Sequence, residues 1–203
     1  MTIDEKRAYF DGIADRWDGW EDLDEVHGKL ASGLAGMGVR PGETVADVGC
    51  GTGNLTRTLL GRLSSAGRVV AADLSSRMLQ IAKSKNRDPR VEWVGADAHH
   101  LPIQDGCVDR VICYSVWPHF DRPAAVALEL LRALKPGSML HVWHLASRQE
   151  INAIHASAGE AVRGDVLVEG AGLGRLLEEQ GFIVTRVIDN RQHYMVSAVK
   201  PGP

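Results

Sequence analysis

The sequence is short of the features that mark several protein classes. It has only three cysteines, Cys50, Cys107 and Cys113, with no C-x-x-C pair among them. That excludes a disulfide framework and a thiolate zinc site, and suits three reduced thiols. No apolar run approaches the roughly 20 residues that cross a bilayer, and the opening MTIDEKRAYF is charged and lacks the apolar core of a secretory signal. The expectation is a soluble, cytoplasmic chain without a membrane partner. Charge of one sign is also lacking: 23 Lys and Arg stand against 26 Asp and Glu, for a formal net charge of -3. Nothing global attracts a polyanion, so nucleic acid is a disfavoured partner. There is no internal repeat, low-complexity tract or linker. What is present is enough apolar sequence, 44% of 203 residues, for one well-buried core, so the chain reads as a single domain over residues 1–203.

From Thr44 onward, β-branched runs alternate with helical patterns, the sign of βαβ units and a parallel sheet covered on both faces. The runs are TVADVG, RVVAADL, VEWVGAD, VDRVICYSV and SMLHVWHL. Between them Leu55, Leu59 and Leu63 recur at helical spacing, as do Val126, Leu130 and Leu134, the latter set in a helix with Asp121 as N-cap and Pro123 in its first turn that stops at KPG. FIVTRVIDN and HYMVSAVK, separated by a few polar residues, read as a closing antiparallel hairpin and bring the strands to seven. Ahead of the sheet, residues 1–40 form a helical cap, with Leu23, Val26, Leu30 and Leu34 on one face, and residues 41–203 form the core.

At the end of the first strand lies DVGCGTG, where an open parallel sheet places its ligands. Gly49, Gly51 and Gly53 let the backbone turn sharply and approach a ligand closely. The spacing is G-x-G-x-G, because Asn54 occupies the position a dinucleotide fingerprint gives to glycine. Asp73 ends the second strand about twenty residues on, where a carboxylate accepts the hydroxyls of a ribose, and Asp97 ends the third run. Three acids at successive strand ends repel pyrophosphate and suit a ligand with hydroxyls, an amine and positive charge. That points to a sulfonium nucleoside in preference to NAD.

These motifs resemble the class I S-adenosylmethionine-dependent methyltransferases, in particular the small-molecule type 11 group, over almost the whole chain. The resemblance implies a three-layer α/β/α Rossmann-like sandwich with strand order 3-2-1-4-5-7-6, the last strand antiparallel, and an N-terminal helical lid. It further implies that S-adenosyl-L-methionine is the cofactor, held at its methionine end by Asp47 and the turn of Gly49, Cys50, Gly51, Gly53 and Asn54, and at its ribose by Asp73. Leu74 and Met78 would flank the adenine, Asp97 and Ala98 would meet its amine, Tyr114 would touch the cofactor, and Phe10 and Trp17 of YFDGIADRWD would cover it.

For the methyl acceptor, the fourth strand is followed by SVWPHF rather than the N/D-P-P-Y of nucleic-acid amino-methyltransferases, which favours a small molecule. His119 and His144 follow the fourth and fifth strands, and SRQEINAIH places Arg148, Asn152 and His155 along one helical stripe, with Ile151, Ile154 and Ala158 on an adjoining apolar stripe expected to pack inward. His119, His144 and His155 are therefore the candidate catalytic residues, as a general base near the unperturbed imidazole pKa of about 6.5 or as ligands of a divalent metal. Trp117, Arg148 and Asn152 are the candidate substrate contacts. Two rival classes stay open: an NAD(P)-binding oxidoreductase on a similar sheet, and a non-catalytic cofactor-binding subunit.

Overall fold

In the computed structural model, which describes residues 2–202, the seven strands follow the order β3-β2-β1-β4-β5-β7-β6, as expected, with helices flanking them in a Rossmann-like arrangement. The chain divides into two compact units, one ending at Asp97 and the other beginning at Ala98.

The first unit opens with α1 (Ile3–Trp17), started by a capping box in which Glu5 N–H donates to Thr2 Oγ1 and Thr2 N–H to the Glu5 carboxylate. In α2 (Leu23–Gly36), capped by Asp22, Val26, Leu30 and Leu34 are buried, as their spacing requires. Then come β1 (Thr44–Val48), α3 (Asn54–Leu60), β2 (Arg68–Asp73), α4 (Ser76–Lys85) and β3 (Val91–Gly95). The three strands pair in parallel, with Asp47 beside Ala71 and Asp73 beside Gly95. Three aspartates spaced along one face of α1 hold it down. Asp11 accepts from Ser75 Oγ (2.6 Å) and Arg77 N–H (2.9 Å) at the start of α4, Asp15 pairs with Arg77 (2.6 Å), and Asp18 at the helix end pairs with Lys85 (2.6 Å).

The second unit runs β4 (Val108–Tyr114), a 3₁₀ turn (Trp117–His119), α5 (Pro123–Ala133), β5 (Leu134–His144), α6 (Arg148–Ser157), α7 (Glu160–Arg163), α8 (Gly170–Glu179), β6 (Ile183–Asp189) and β7 (Tyr194–Val199). β4 and β5 are parallel, while β7 is antiparallel to both β5 and β6. Two local expectations are corrected. The residue at the α5 N-cap is Arg122, with no side-chain cap, not Asp121, because Pro123 already occupies the first helical position. Nor does KPG separate helix from strand: β5 starts at Leu134 opposite Val108, and the three residues form an irregularity before Met139 pairs with Arg110, with Gly137 at φ 78.

One buried polar row crosses this unit. Arg110 Nη1 donates to His141 Nε2 (2.7 Å), which fixes the tautomer, so His141 Nδ1–H donates to Ser197 Oγ (2.8 Å). Burial, reinforced by the charges of Arg110 and Arg186, pushes the His141 pKa down to about 3. Its folded pKa is thus depressed below the unfolded value, and the unfolded chain takes up a proton that the folded chain refuses. Stability is lost as pH falls from about 6.5 toward 3, by about 1.4 kcal/mol per pH unit from this residue. His141→Gln keeps an acceptor and a donor without the titration. Denaturant unfolding of the variant is expected to show a correspondingly shallower acid dependence over that window; an unchanged slope relative to the parent would refute the assignment.

Candidate functional site

In the first unit the glycine turn is built from three left-handed residues, Gly49 (φ 76), Gly51 (φ 52) and Gly53 (φ 84). Gly49 and Cys50 donate their N–H groups to the Ala72 carbonyl (2.8 and 3.0 Å), and Gly51 N–H donates to Asp73 Oδ2 (2.7 Å). Asp73 Oδ1 accepts from Ser75 N–H (2.8 Å), so one carboxylate joins the turn after β1 to the start of α4. Burial raises the Asp73 pKa, and the hydrogen bonds from Ser75 and Gly51 oppose that rise. Each Asp73 oxygen still has acceptor capacity for a ligand hydroxyl.

Beneath the turn, Asp47 is fully buried. Its Oδ2 accepts from Thr56 Oγ1 (2.6 Å), while Oδ1 has no hydrogen-bond partner among the described residues. Burial pushes its pKa up to about 7, against the Thr56 hydrogen bond. The two middle glycines differ in purpose. A Cβ on Gly51 would meet no heavy atom within 4 Å, whereas one on Gly53 would lie 3.1 Å from the Trp93 ring and 3.2 Å from Ala82. Gly53 is required by packing, and Gly51 borders open space.

Several expected cofactor contacts have other tasks. The Asn54 amide donates to Asp18 Oδ1 (3.1 Å), and its carbonyl oxygen accepts from Lys85 (3.3 Å), so its side chain fastens the turn to the end of α1. Thr52 Oγ1 donates to the same Asp18 oxygen (2.6 Å). Although burial acts in the opposite direction, the hydrogen bonds from Lys85, Thr52 and Asn54 hold the Asp18 pKa below the usual carboxylate range. The Met78 side chain is buried because it belongs to the apolar face of α4, and the Cys50 thiol is buried with its pKa well above the usual value through burial. Leu74 is half-buried, and Asp97 lies two residues beyond the end of β3 rather than at it. Phe10 and Trp17 are half-buried, with ring centroids 6.2 Å apart, and Trp17 also contacts Trp20 at 5.2 Å. Asp18 was missed by the sequence reading, although its signal was visible: Asp11, Asp15 and Asp18 fall at helical spacing in the same YFDGIADRWD segment.

In the second unit, Ala98 begins the turn after Asp97, and Tyr114 ends β4 with its ring 5.4 Å from Trp143. Ser115, which follows, is the one non-glycine residue at positive φ (53) among those described. The expected histidines come together. His119 and His155 have ring centroids 4.9 Å apart, and both are tied to Asp165: His119 Nδ1 meets its Oδ2 at 2.6 Å, and His155 Nδ1 meets its backbone carbonyl at 2.7 Å. Carboxylate and carbonyl oxygens only accept, so each Nδ1 carries the proton and Nε2 is the basic nitrogen of each ring. His144 differs. Burial, with the charges of His119 and His155, pushes its pKa down to about 3, which keeps the ring neutral and makes it a weaker base than a free imidazole.

The remaining expectations for this unit are corrected. No group of three or more His, Cys, Asp or Glu side chains is placed to hold a metal among the described residues, so His119, His144 and His155 do not form the metal cage considered above. The Asn152 amide clamps Leu167, donating to its carbonyl (3.1 Å) and accepting from its N–H (2.8 Å). Arg148 pairs through Nε with Asp189 (2.9 Å). These bonds turn the polar stripe of α6 inward and leave Ile154 58% exposed, the reverse of the expected packing. Trp117 is 4% exposed, its ring 5.4 Å from Phe120, and so belongs to the core rather than to a substrate wall.

The two glycines give a stability test of this geometry. Gly51→Ala is expected to cost about 1 kcal/mol, the left-handed penalty alone. Gly53→Ala adds displacement of Trp93 and Ala82, roughly 1–3 kcal/mol more. Equal losses in chemical denaturation would contradict the distinction.

A family model described as a methyltransferase domain matches residues 46–142. An uncharacterized 37.1 kDa protein of a Streptomyces fradiae transposon is 32% identical over 166 residues, covering 76% of this chain and 48% of that protein. The 2-phytyl-1,4-naphtoquinone methyltransferase of Trichormus variabilis is 32% identical over 142 residues, 66% of this chain and 62% of that protein. The chain therefore spans about half to three fifths of the length of these curated relatives. Among solved structures, a chain from the complex between the Haloferax volcanii Trm112 methyltransferase activator and a methyltransferase aligns with a TM-score of 0.81 at 23% identity, covering 97% of this chain and 98% of that one, a likeness of fold. The sheet order, the glycine turn and the match to a methyltransferase domain over residues 46–142 agree, and in these respects the chain is similar to the class I S-adenosylmethionine-dependent methyltransferases.

Proposed function

We propose that this chain transfers the methyl group of S-adenosylmethionine directly to a small-molecule acceptor. The observation that carries the reading is the cradle at Gly51, a left-handed glycine with open space at its Cβ position, flanked by the buried carboxylate of Asp47 and the half-buried one of Asp73. Such a cradle admits a ligand against bare backbone, and its negative charge suits a sulfonium while repelling pyrophosphate. When bound, the cofactor supplies an electrophilic methyl carbon. Asp73 offers its remaining lone pairs to the ribose hydroxyls, and the unpartnered Asp47 oxygen faces the cofactor's methionine end. Leu74 and Asp97 complete the proposed donor contacts in this unit, with Phe10 and Trp17 as covering rings.

His119 is the proposed base, oriented by Asp165, and His155 is its neighbour. Its Nε2 takes the acceptor's proton as the acceptor's lone pair forms the new bond to the methyl carbon. The sulfur–carbon bond breaks with its electrons returning to sulfur, which neutralises the sulfonium. Alignment supplies most of the rate and the base a further factor of about a hundred or more. The Trichormus variabilis relative is named for a phytylated naphthoquinone, which adds fused-ring quinols to the phenols, thiols and amines worth testing as acceptors. The oxidoreductase reading is less well supported, because Asn54 replaces the third glycine of a dinucleotide fingerprint and its amide is committed to Asp18.

Isothermal calorimetry with S-adenosylhomocysteine and NADH tests the donor site. Only the former is expected to bind, and Gly51→Ala or Asp73→Asn should weaken it by roughly tenfold to a hundredfold; equal affinity in the variants, or preference for NADH, would displace the cradle from this role. His119→Ala should leave that affinity unchanged while lowering methyl transfer by about a hundredfold or more. Turnover at the parental rate in an acceptor screen would remove the base assignment.

A further inference from the structure

His144 ends β5 and Tyr194 begins β7, and the two are register partners with ring centroids 5.9 Å apart at 81°. Both are buried, at 1% and 0% exposure, and neither His144 Nδ1, His144 Nε2 nor the Tyr194 hydroxyl has a hydrogen-bond partner from the described residues. Three unpaired polar atoms on two facing side chains are unusual in a folded interior, where such groups are nearly always satisfied. Each costs folding free energy. Packing does not require them, since phenylalanine at 194 would fill the same space as tyrosine without the orphan oxygen.

We infer that His144 and Tyr194 form a binding subsite for the hydroxyl of an uncharged, phenol-like ligand. A neutral imidazole presents one N–H and one lone pair, and a phenol presents one O–H and an acceptor oxygen. A ligand hydroxyl complements this pair, donating to the imidazole nitrogen and accepting from the tyrosine. An ammonium cannot accept from the tyrosine, and a hydroxyl, unlike a carbonyl, can both give and take a hydrogen at this pair. The charge environment points the same way. Burial pushes the His144 pKa down and the Tyr194 pKa up, so both stay neutral across the physiological range. The nearest charges to Tyr194, those of Asp189 and Arg148, are paired with each other. An ionic ligand would lose its hydration here without gaining a counter-charge. His144 lies within range of the charges of His119 and His155, so, on the methyltransferase reading above, this ligand is the methyl acceptor.

The test compares phenol with fluorobenzene as probes on the intact chain, by calorimetry and thermal unfolding, for the parent, Tyr194→Phe and His144→Phe. The parent should bind phenol at least about tenfold more tightly than fluorobenzene. Tyr194→Phe should abolish that preference and, without probe, raise the melting temperature, because an unsatisfied buried hydroxyl has been removed. His144→Phe should likewise lose the preference. A lower melting temperature for Tyr194→Phe would mean that the hydroxyl serves a structural partner such as a trapped water, and would overturn the inference. So would a phenol preference that survives both substitutions, or no preference in the parent. If the preference is present and lost as expected but no acceptor is methylated, the subsite stands and the methyltransferase reading fails. If phenols are methylated equally well by the parent and both variants, the reading stands and the subsite fails.

Discussion

The first unit depends on one carboxylate. Asp73 receives Gly51 N–H on one oxygen and Ser75 N–H on the other, so the turn after β1 and the start of α4 share an anchor. Ser75 is itself the N-cap of α4 and donates its hydroxyl to Asp11 on α1, which extends the anchor to the N-terminal helix. Burying a carboxylate is costly, and here backbone donors offset the cost only in part, since the pKa remains raised. The arrangement makes sense for a group that keeps acceptor capacity in reserve.

Reserve is a theme of both units. Asp47 Oδ1, the two His144 nitrogens and the Tyr194 hydroxyl are buried without hydrogen-bond partners among the described residues. Asp165 is the contrasting case: its side chain and its backbone carbonyl are both spent on holding imidazoles, His119 and His155, in a single tautomer.

Much of this was legible in the chain. β-Branched runs located every strand and helical spacing located α2, α3, α5 and α6, because burial constrains which residues are apolar, while α4 and α8 were not picked out. The glycine turn and the acids following it were legible because positive φ and close approach allow few other residues. The meeting of the histidines was also anticipated, since strand ends in an open parallel sheet gather at one side. Boundaries were less secure: the KPG breaker became an irregularity inside β5, where local propensity gave way to pairing with β4, and the α5 cap moved by one residue because Pro123 takes the first helical position.

The sequence by itself determined the architecture, the turn and the identity of the residues available at the site, because these follow from patterning and backbone conformation, which are local. Only the tertiary structure decided what each polar side chain does, because hydrogen-bond partners lie far away in sequence. Asn54 was diverted to Asp18 and Asn152 to Leu167, Arg148 was taken by Asp189, and Ile154 was turned to solvent by the bonds on the opposite face of its helix. Burial, likewise invisible at the level of a single residue, separated His144 from His119 and His155: the same side chain is a neutral ring without hydrogen-bond partners among the described residues in one place and a ring with its basic nitrogen set by Asp165 in the others.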